Sequence, residues 1–293
     1  MPDSRLRTAL ASGRLIIAPG IFDGISTLIA DRMGFDCLYA TGFGTVASHL
    51  GLPDAGLATY TDMVQRMARF ASLARTPIIA DADTGYGGLL NVRHTVQGYE
   101  AAGLAGIQLE DQELPKKCGH TPGRRVIPAE EMVLKIRVAV EARRNPDFLI
   151  IARTDARSSL GLAEAIRRGH LYAEAGADVI FIESPESEAE MAEIGRSIRR
   201  PLLANMVEGG RTPILPAARL AELGYAIAIY PAIGFLAAAQ ALEQAYGQLK
   251  AAGDSLALGE GFGFARMTEL MGFPEVWAFE RRWAEAAAAQ GQR

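Results

Sequence analysis

Short apolar runs alternate with segments of helical periodicity along most of this chain, and this alternation limits the folds open to it. The apolar runs cover residues 15–18, 37–40, 77–80, 106–109, 149–152, 179–182, 202–204 and 227–230. Helical spacing of apolar residues is clearest in 60–74, 129–144, 161–175 and 188–198. Eight strands that alternate with helices over about 250 residues are typical of an α/β protein with a (β/α)8 TIM barrel. An open, doubly wound sheet is the alternative, although no G-x-G-x-x-G follows the first strand, which disfavours its dinucleotide-binding form.

The eight units end near residue 253. We expect residues 1–253 to form the catalytic barrel and residues 254–293 to form a helical extension of the same domain. Helical patterns cover 267–273 and 274–288 within the extension. Trp277, Phe279 and Trp283 give it a large apolar face, which either packs within one subunit or forms a contact between subunits.

The composition disfavours several classes of partner. The net charge is −4, so the chain lacks the basic excess that binds nucleic acid or an anionic membrane. Its two cysteines, Cys37 and Cys118, are too few for a disulfide framework and are typical of a reducing compartment. The N-terminal segment has no apolar core long enough for a signal peptide, and Pro231 and Gly234 interrupt the most apolar segment, 225–242. We therefore expect a cytoplasmic protein that binds neither nucleic acid nor membrane.

Polar side chains follow most of the predicted strands at their carboxyl ends. They are Thr41, Asp81 with Asp83, Glu110 with Asp111, Arg153 with Asp155, Glu183, and Asn205 with Glu208. Any one of them could cap a loop or form an ion pair, but chance does not readily explain their presence on successive strands. A barrel gathers the carboxyl ends of its strands on one face, where the active site lies. We interpret these residues as one site.

The segment 106–125, GIQLEDQELPKKCGHTPGRR, leads from the fourth strand into a loop with a candidate acid. Its prolines and glycines exclude a regular helix over the dozen residues after the strand. Cys118 lies in this loop beside Lys117 and beside two further candidate catalytic residues, Lys116 and His120. Neighbouring cations lower the pKa of a thiol, which makes Cys118 a candidate acid or base near neutral pH. A solvated basic loop with an incidental cysteine is the alternative.

Asp81, Asp83 and Glu110 are the candidate metal ligands. Their carboxylates offer the hard oxygen atoms that suit Mg²⁺, with Mn²⁺ as an alternative. No cluster of histidine and cysteine converges with them in the sequence, which disfavours zinc. The alternative is that one aspartate caps a helix and the other pairs with Arg153 or Lys116.

Arg153 is the candidate group for a substrate carboxylate. A guanidinium can bind a carboxylate through two parallel hydrogen bonds, while an ion pair with Glu183 is an alternative that is compatible with this role. Asn205 and Thr41 can donate hydrogen bonds to further carboxylate oxygens.

Five segments carry a resemblance to a known family. They read LGLPD (50–54), DADTGYGG (81–88), EDQELPKKCGH (110–120), IARTDA (151–156) and ANMVEGGRTP (204–213). From about residue 15 to residue 250 the chain resembles the isocitrate lyase/phosphoenolpyruvate mutase superfamily, and the KKCGH segment is highly specific. The resemblance implies a barrel with a C-terminal helix swapped between subunits, usually in a homotetramer. It also implies Mg²⁺ that holds an α-oxycarboxylate.

The resemblance also implies a role for each site residue. Asp81 and Asp83 match the metal acids, and Glu110 matches an acid that acts mainly through metal-bound water. Thr41, Gly42 and Phe43 match the first substrate-binding loop, in which relatives often have serine and glycines. Cys118 matches the cysteine that protonates the departing carbanion in the lyases. The segment from Lys116 to His120, which includes Gly119, matches a loop that closes over the substrate, and Arg153, Glu183 and Asn205 match positions that contact it.

Leu236 is the departure from the family pattern that narrows the substrate. Lyases that act on tricarboxylates have an arginine just after the eighth strand for the third carboxylate, and this chain has Leu236 there. A buried carboxylate without a cation costs several kcal/mol, which makes isocitrate and methylisocitrate poor candidates. A malate-like dicarboxylate, such as a methylated malate, is favoured.

We therefore expect a Mg²⁺-dependent oxo-acid lyase. It would cleave a carbon–carbon bond of a 2-hydroxydicarboxylate to an α-keto acid or aldehyde plus a carboxylate. One alternative is a phosphonomutase of the carboxyphosphonoenolpyruvate or phosphoenolpyruvate type, and another is an oxaloacetate decarboxylase or hydrolase. A non-catalytic binding module is disfavoured because the metal acids, Arg153 and Cys118 occur together.

Overall fold

A computed structural model describes residues 4–119, 121, 123–259 and 261–290. His120, one of the candidate catalytic residues, lies outside the described residues. The chain divides into two compact units between Ala237 and Ala238. The predicted extent of the catalytic domain, residues 1–253, stays a prediction.

The first unit contains a closed barrel of eight parallel strands, which confirms the predicted fold class and excludes the open sheet. The strands are β1 Ile16–Ile21, β2 Leu38–Ala40, β3 Ile78–Asp81, β4 Gly106–Glu110, β5 Leu149–Thr154, β6 Val179–Ile182, β7 Leu202–Asn205 and β8 Tyr225–Tyr230. Each strand pairs with the next one in the sequence, and β8 pairs with β1 to close the barrel.

A helix precedes β1, and further helices connect successive strands. They are α1 Arg5–Ala11, α2 Gly24–Arg32, α3 Gly42–Leu50, α4 Tyr60–Leu73, α5 Leu89–Ala101, α6 Ala129–Ala142, α7 Ala156–Leu160, α8 Leu162–Glu174, α9 Glu188–Ser197 and α10 Ala217–Glu222, with α11 Ile233–Ala252 after β8. Helix α4 shows how local sequence sets a boundary. Thr59 and Asp62 form a capping box, in which each side chain accepts a hydrogen bond from the backbone N–H of the other residue. The buried face of α4 follows at helical spacing, with Met63, Met67 and Phe70.

Alternate residues of the strands fill the barrel interior. They form a buried cluster that is separate from the core between strands and helices, and it includes Ile16, Ala18, Cys37, Tyr39, Ile79, Leu149, Ile151, Val179, Phe181, Leu203, Ile227 and Ile229. Leu6 of α1 belongs to the same cluster and is fully buried. Because side chains of a strand alternate between its two faces, the next alternate position of each strand also points inward, at the carboxyl end.

The second unit begins within α11 and contains a short 3₁₀ turn, Leu256–Leu258, followed by α12 Phe264–Leu270 and α13 Phe273–Gln290. Two helices were expected here and two are present, but the break between them lies earlier than predicted. Gly272 has φ +80°, a conformation that ends a helix at low cost, and Pro274 is then tolerated in the first turn of α13. Swapping of these helices between subunits stays a prediction.

The apolar segment 225–242 is divided between strand β8 and helix α11. Among the described residues, no helix combines the length and the apolarity that crossing a membrane requires.

Candidate active site

A cavity of about 300 Å³ opens at the carboxyl ends of the strands. Its floor includes Tyr39, Phe181 and Ile229, which are the last apolar inward-facing residues of β2, β6 and β8. The next inward positions bring six of the predicted residues to its wall: Thr41, Asp81, Glu110, Arg153, Glu183 and Asn205. The alternation of side chains along parallel strands therefore explains why residues so far apart in the sequence meet here.

Asp111 does not belong to this cavity, although the sequence grouped it with Glu110. Its Oδ2 accepts hydrogen bonds from Thr154 Oγ1 at 2.7 Å, from Tyr172 Oη at 2.7 Å and from Arg168 Nη1 at 2.9 Å. One position along a strand turns a side chain to the opposite face, so Asp111 faces the helix layer and links the ends of β4 and β5 to α8. The interpretation of all strand-end polar residues as one site was wrong for this residue.

Asp81 is held in place by hydrogen bonds from one backbone N–H and one side-chain amide. Its Oδ1 accepts a hydrogen bond from the backbone N–H of Asp83 at 3.0 Å and one from Gln108 Nε2 at 3.4 Å. Its Oδ2 lies beside Gly42, where an added Cβ would come within 2.6 Å of that oxygen. A side chain at residue 42 would collide with this carboxylate, so glycine leaves the space that the Asp81 side chain occupies. Burial, reinforced by the charge of Asp83, raises the pKa of Asp81 to about 6.

Lys116 pairs with two aspartates. Its Nζ lies 2.6 Å from Asp83 Oδ1 and also contacts Asp54 Oδ1, and all three side chains are buried. Burial alone would lower the pKa of Lys116, but the carboxylates of Asp83 and Asp54 raise it well above its ordinary value. Asp83 does not line the cavity itself. Its carboxylate forms an ion pair with Lys116, which does line the cavity. The predicted catalytic role of Lys116 stays a prediction.

The carboxylates fit a magnesium ion. Glu110 is buried, its Oε1 has no hydrogen-bond partner within the described chain, and burial raises the pKa of Glu110 well above its ordinary value. In the part of the chain that the structure describes, no group of three or more His, Cys, Asp or Glu residues is arranged to enclose a metal ion. Mg²⁺ needs no such cage, because it usually keeps several waters and takes only one or two protein carboxylates. Asp81 and Glu110 are the acids of the predicted set that reach the cavity.

Arg153 crosses the polar side of the cavity. Its Nε and Nη2 each donate to one oxygen of Asp155 at 2.9 Å, while Nη1 lies 3.2 Å from Glu110 Oε2. Its Nη2 lies 3.5 Å from Glu183 Oε2, so the ion pair considered in the sequence is present. The fork of the guanidinium that was expected to bind substrate in bidentate fashion is occupied by Asp155. A ligand in the cavity can meet the N–H groups of Nη1 and Nη2 that do not face Asp155, Glu110 or Glu183.

The loop after β4 brings Cys118 to the same cavity. No helix is present between Glu110 and Ala129 in the described part of this segment, as predicted from its prolines and glycines. Cys118 is half-buried and borders the cavity together with Lys117 and Gly119. Gly119 packs directly on Arg153, because an added Cβ would lie 2.3 Å from Arg153 Nη2. The thiol, the carboxylates and the guanidinium are therefore neighbours around one small space.

The remaining wall of the cavity is apolar. The ring of Phe43 stacks on that of Phe235, with centroids 5.2 Å apart and planes inclined by 12°. Leu236 and Val207 line the cavity beside them. The cavity therefore has two chemically distinct sides, one charged and one made of aromatic and aliphatic carbon.

Comparison with known proteins identifies the family. The model of the phosphoenolpyruvate phosphomutase family matches residues 6–250, and 2,3-dimethylmalate lyase of Eubacterium barkeri is 48% identical over 96% of this chain and 98% of its own length. The chain belongs to the isocitrate lyase/phosphoenolpyruvate mutase superfamily. The resemblance drawn from the five sequence segments is confirmed.

Other members of the superfamily show how widely its chemistry varies. A 2-methylisocitrate lyase of Aeropyrum pernix is 44% identical over 83% of this chain and 78% of its own length. A structure of oxaloacetate acetylhydrolase with the inhibitor 3,3-difluorooxalacetate has a TM-score of 0.90 and 36% identity, over 96% of both chains. Phosphonopyruvate hydrolase in complex with oxalate and Mg²⁺ has a TM-score of 0.87 and 32% identity, over 97% of this chain and 100% of the other. The prediction of an enzyme of the lyase type is confirmed. The relatives themselves differ in the substrate that they use.

The sequence did not predict several of the described residues that line the cavity, among them Tyr39, Asp54 and Phe235. Tyr39 lies inside an apolar run, and only its position two residues before Thr41 signals that it faces the same way; its hydroxyl donates to Gln108 Oε1 at 2.7 Å. Asp54 lies in a loop, and the sequence marked it only as the last residue of the LGLPD segment, with no role of its own. Phe235 follows β8 in α11, and closure of the barrel brings it to Phe43.

Proposed function

We propose that this chain is a Mg²⁺-dependent lyase that cleaves the C2–C3 bond of a 2-hydroxydicarboxylate with alkyl substituents, a methylated malate. The observation that carries this proposal is the two-sided cavity. Carboxylates, Arg153 and Cys118 occupy one side, and Phe43, Phe235 and Leu236 occupy the other. A dianion with a small apolar flank matches that division.

The charged side would bind the α-hydroxycarboxylate end of the substrate. Asp81 and Glu110 would hold the metal, and the ion pairs with Asp83 and Asp54 keep Lys116 at the cavity. When bound, Mg²⁺ would act as a Lewis acid that favours negative charge on the substrate's oxygen atoms. The outer N–H groups of Arg153 and the side chain of Thr41 would donate to the carboxylate.

Cys118 would supply the proton that completes the reaction. Loss of the C2 hydroxyl proton to a base allows the C2–C3 electron pair to move onto C3 as C2 becomes a carbonyl. The proton of the Cys118 thiol then goes to C3, which leaves a 2-oxo acid, a carboxylate and a thiolate that solvent reprotonates. The position of Cys118 at the cavity, next to the backbone of Gly119 on Arg153, supports this role.

The apolar wall would select the substituents. Each methyl group that it removes from water contributes about 0.8 kcal/mol, or roughly fourfold in kcat/KM. A third carboxylate at the same wall would lie against Leu236 without a cation, at a cost of several kcal/mol. Among the described residues that line the cavity, the cations are Lys116, Lys117 and Arg153, and Lys116 and Arg153 already face protein carboxylates. This arrangement disfavours a phosphonate as well as a tricarboxylate.

The test is a substrate panel with Mg²⁺, followed by NMR of the products. It contains malate, 2,3-dimethylmalate, isocitrate, 2-methylisocitrate, oxaloacetate and phosphonopyruvate. We expect 2,3-dimethylmalate to give the highest kcat/KM and to yield two carbon fragments. Preferential hydrolysis of oxaloacetate or conversion of phosphonopyruvate would overturn the proposal in favour of a hydrolase or phosphonomutase.

A further inference from the structure

Gly119 packs closely against the charged side of the cavity, and its backbone carbonyl is hydrogen-bonded there. Its backbone is buried, and an added Cβ would lie 2.3 Å from Arg153 Nη2 and 2.9 Å from Glu183 Oε2. The carbonyl oxygen of Gly119 accepts a hydrogen bond from Ser184 Oγ at 3.0 Å. A buried carbonyl without a donor is unfavourable, so this bond bears directly on where the Cys118–Gly119 segment lies.

Ser184 also contacts the far end of the same loop. Arg124 Nη2 lies 3.5 Å from Ser184 Oγ and 2.5 Å from Ser158 Oγ, and Arg124 Nη1 donates to Asp155 Oδ1 at 2.6 Å. Asp155 in turn holds Arg153. Ser184 therefore joins two points of the loop, at Gly119 and Arg124, to the strand end that positions Glu183.

The backbone of Ser184 is held in a conformation that serine seldom adopts. Its φ is +60°, in the left-handed region, and its N–H donates to Glu183 Oε1 at 2.8 Å. Such a conformation costs free energy and persists only where surrounding contacts enforce it, which occurs most often at functional sites. The hydroxyl of this fully buried side chain lies 3.0 Å from the Gly119 carbonyl oxygen and 3.3 Å from Glu183 Oε1, so the Gly119 carbonyl is the nearer of its two acceptors.

We propose that Ser184 is a positioning residue that fastens the Cys118–Gly119 segment over Arg153, so that the candidate acid stands at the cavity. This inference rests on the proposed function for the role of Cys118 as an acid. The hydrogen bond from Ser184 to Gly119 does not depend on a substrate. Its measurable consequence is the accessibility of the Cys118 thiol.

The experiment is alkylation of the full-length protein with iodoacetamide, with Cys118 and Cys37 followed by peptide mass spectrometry. Ser184→Gly removes the hydroxyl and relieves the backbone strain, whereas Ser184→Ala removes the hydroxyl and keeps the strain. The matched control is Ser187→Gly in the same β6–α9 loop, whose hydroxyl caps α9 through the Glu190 N–H. Cys37, which is fully buried, reports any global unfolding.

We expect both Ser184 variants to be alkylated at Cys118 about fivefold faster than the parent, the change in population that one net hydrogen bond gives. Ser187→Gly should react at the parent rate. Parent rates in both Ser184 variants, acceleration in Ser184→Ala alone, or equal acceleration in Ser187→Gly would overturn the proposal. Alkylation requires no substrate, so a failure of the lyase assay would count against the proposed function and leave this result standing.

Discussion

Cys118 is the residue on which the choice between reaction classes depends. Serine has a similar shape but is a far weaker acid, so Cys118→Ser should lower lyase turnover about 10²–10⁴-fold if the thiol protonates a carbanion. Binding should survive, because Arg153 and the metal acids remain. The measurements are kcat for the best substrate and the affinity for oxalate, with Cys37→Ala as the matched control. Cys37 is fully buried, and burial raises the pKa of its thiol to about 12, so it should take no part in the reaction.

If kcat of the Cys118→Ser enzyme lies within about tenfold of the parent value, Cys118 is not the acid of the reaction. A variant that no longer binds oxalate would also contradict the acid role, because its low turnover would then reflect lost binding.

Asp81 is the residue on which the proposed metal site depends. Asp81→Asn keeps the size of the side chain and removes its charge, so Mg²⁺ affinity measured by titration calorimetry should fall about a hundredfold or more. Glu113→Gln is the matched control, since Glu113 is an acid of the nearby loop that pairs with the exposed Arg125. Equal Mg²⁺ affinity in Asp81→Asn and the parent would exclude Asp81 as a ligand.

Most of these residues could be predicted because a strand alternates its faces. Thr41, Asp81, Glu110, Arg153, Glu183 and Asn205 each follow an apolar run at the same place. Asp54 and Ser184 could not be predicted as site residues in this way. Asp54 acts through Lys116, which lies 62 positions further along the chain, and Ser184 acts through a backbone carbonyl that no sequence pattern marks.

At the scale of elements, the apolar wall is built where α3 and α11 bring Phe43 and Phe235 together. Leu236→Arg places a cation on this wall. We expect cleavage of 2-methylisocitrate to appear, because the new cation pairs with the third carboxylate of that substrate. We expect kcat/KM for 2,3-dimethylmalate to fall, because the cation then lies unpaired beside a methyl group. Leu236→Met is the volume-matched control and should keep the parent preference. A Leu236→Arg enzyme with unchanged preference would mean that this residue does not face the substrate.

The elements themselves were more predictable than their junctions. Strand positions follow from apolar runs, since β4, β5, β6 and β7 begin at the first residue of the predicted runs. The break between the last two helices was predicted just before Pro274, whereas Gly272 supplies the positive φ that ends α12 and Pro274 is tolerated in the first turn of α13. The position of a junction depends on backbone conformation. Composition indicates backbone conformation less clearly than it indicates which residues are buried.

At the scale of the whole molecule, the second unit has large exposed aromatic side chains. Trp277, Phe279 and Trp283 on α13 are 46%, 57% and 58% exposed in the single chain. Exposed apolar groups of this size are typical of protein interfaces, and we expect a homotetramer by light scattering after gel filtration. Trp283→Lys should shift the mass toward smaller species, whereas Arg281→Lys, on the same helix, should not. A monomeric parent protein would overturn this expectation.

The last prediction concerns how pH and Mg²⁺ act together on the stability of the whole protein. Burial raises the pKa of Asp81 from 3.8 to about 6, so the folded protein holds this proton more tightly than the unfolded chain does. Between about pH 4 and pH 6 the contribution of Asp81 to stability therefore falls as pH rises, and above that window the ionised carboxylate destabilises the metal-free fold. Glu110 is shifted in the same direction.

As proposed, Mg²⁺ would bind the ionised carboxylates, so it should raise the melting temperature more at pH 7.5 than at pH 5, where Asp81 is mostly protonated. The measurement is thermal unfolding with Mg²⁺ and with EDTA at both pH values, and Asp81→Asn should lose most of the difference. An equal rise at both pH values would show that the ion binds away from Asp81. Since this readout needs no turnover, it tests the metal site even if the substrate proposed here is wrong.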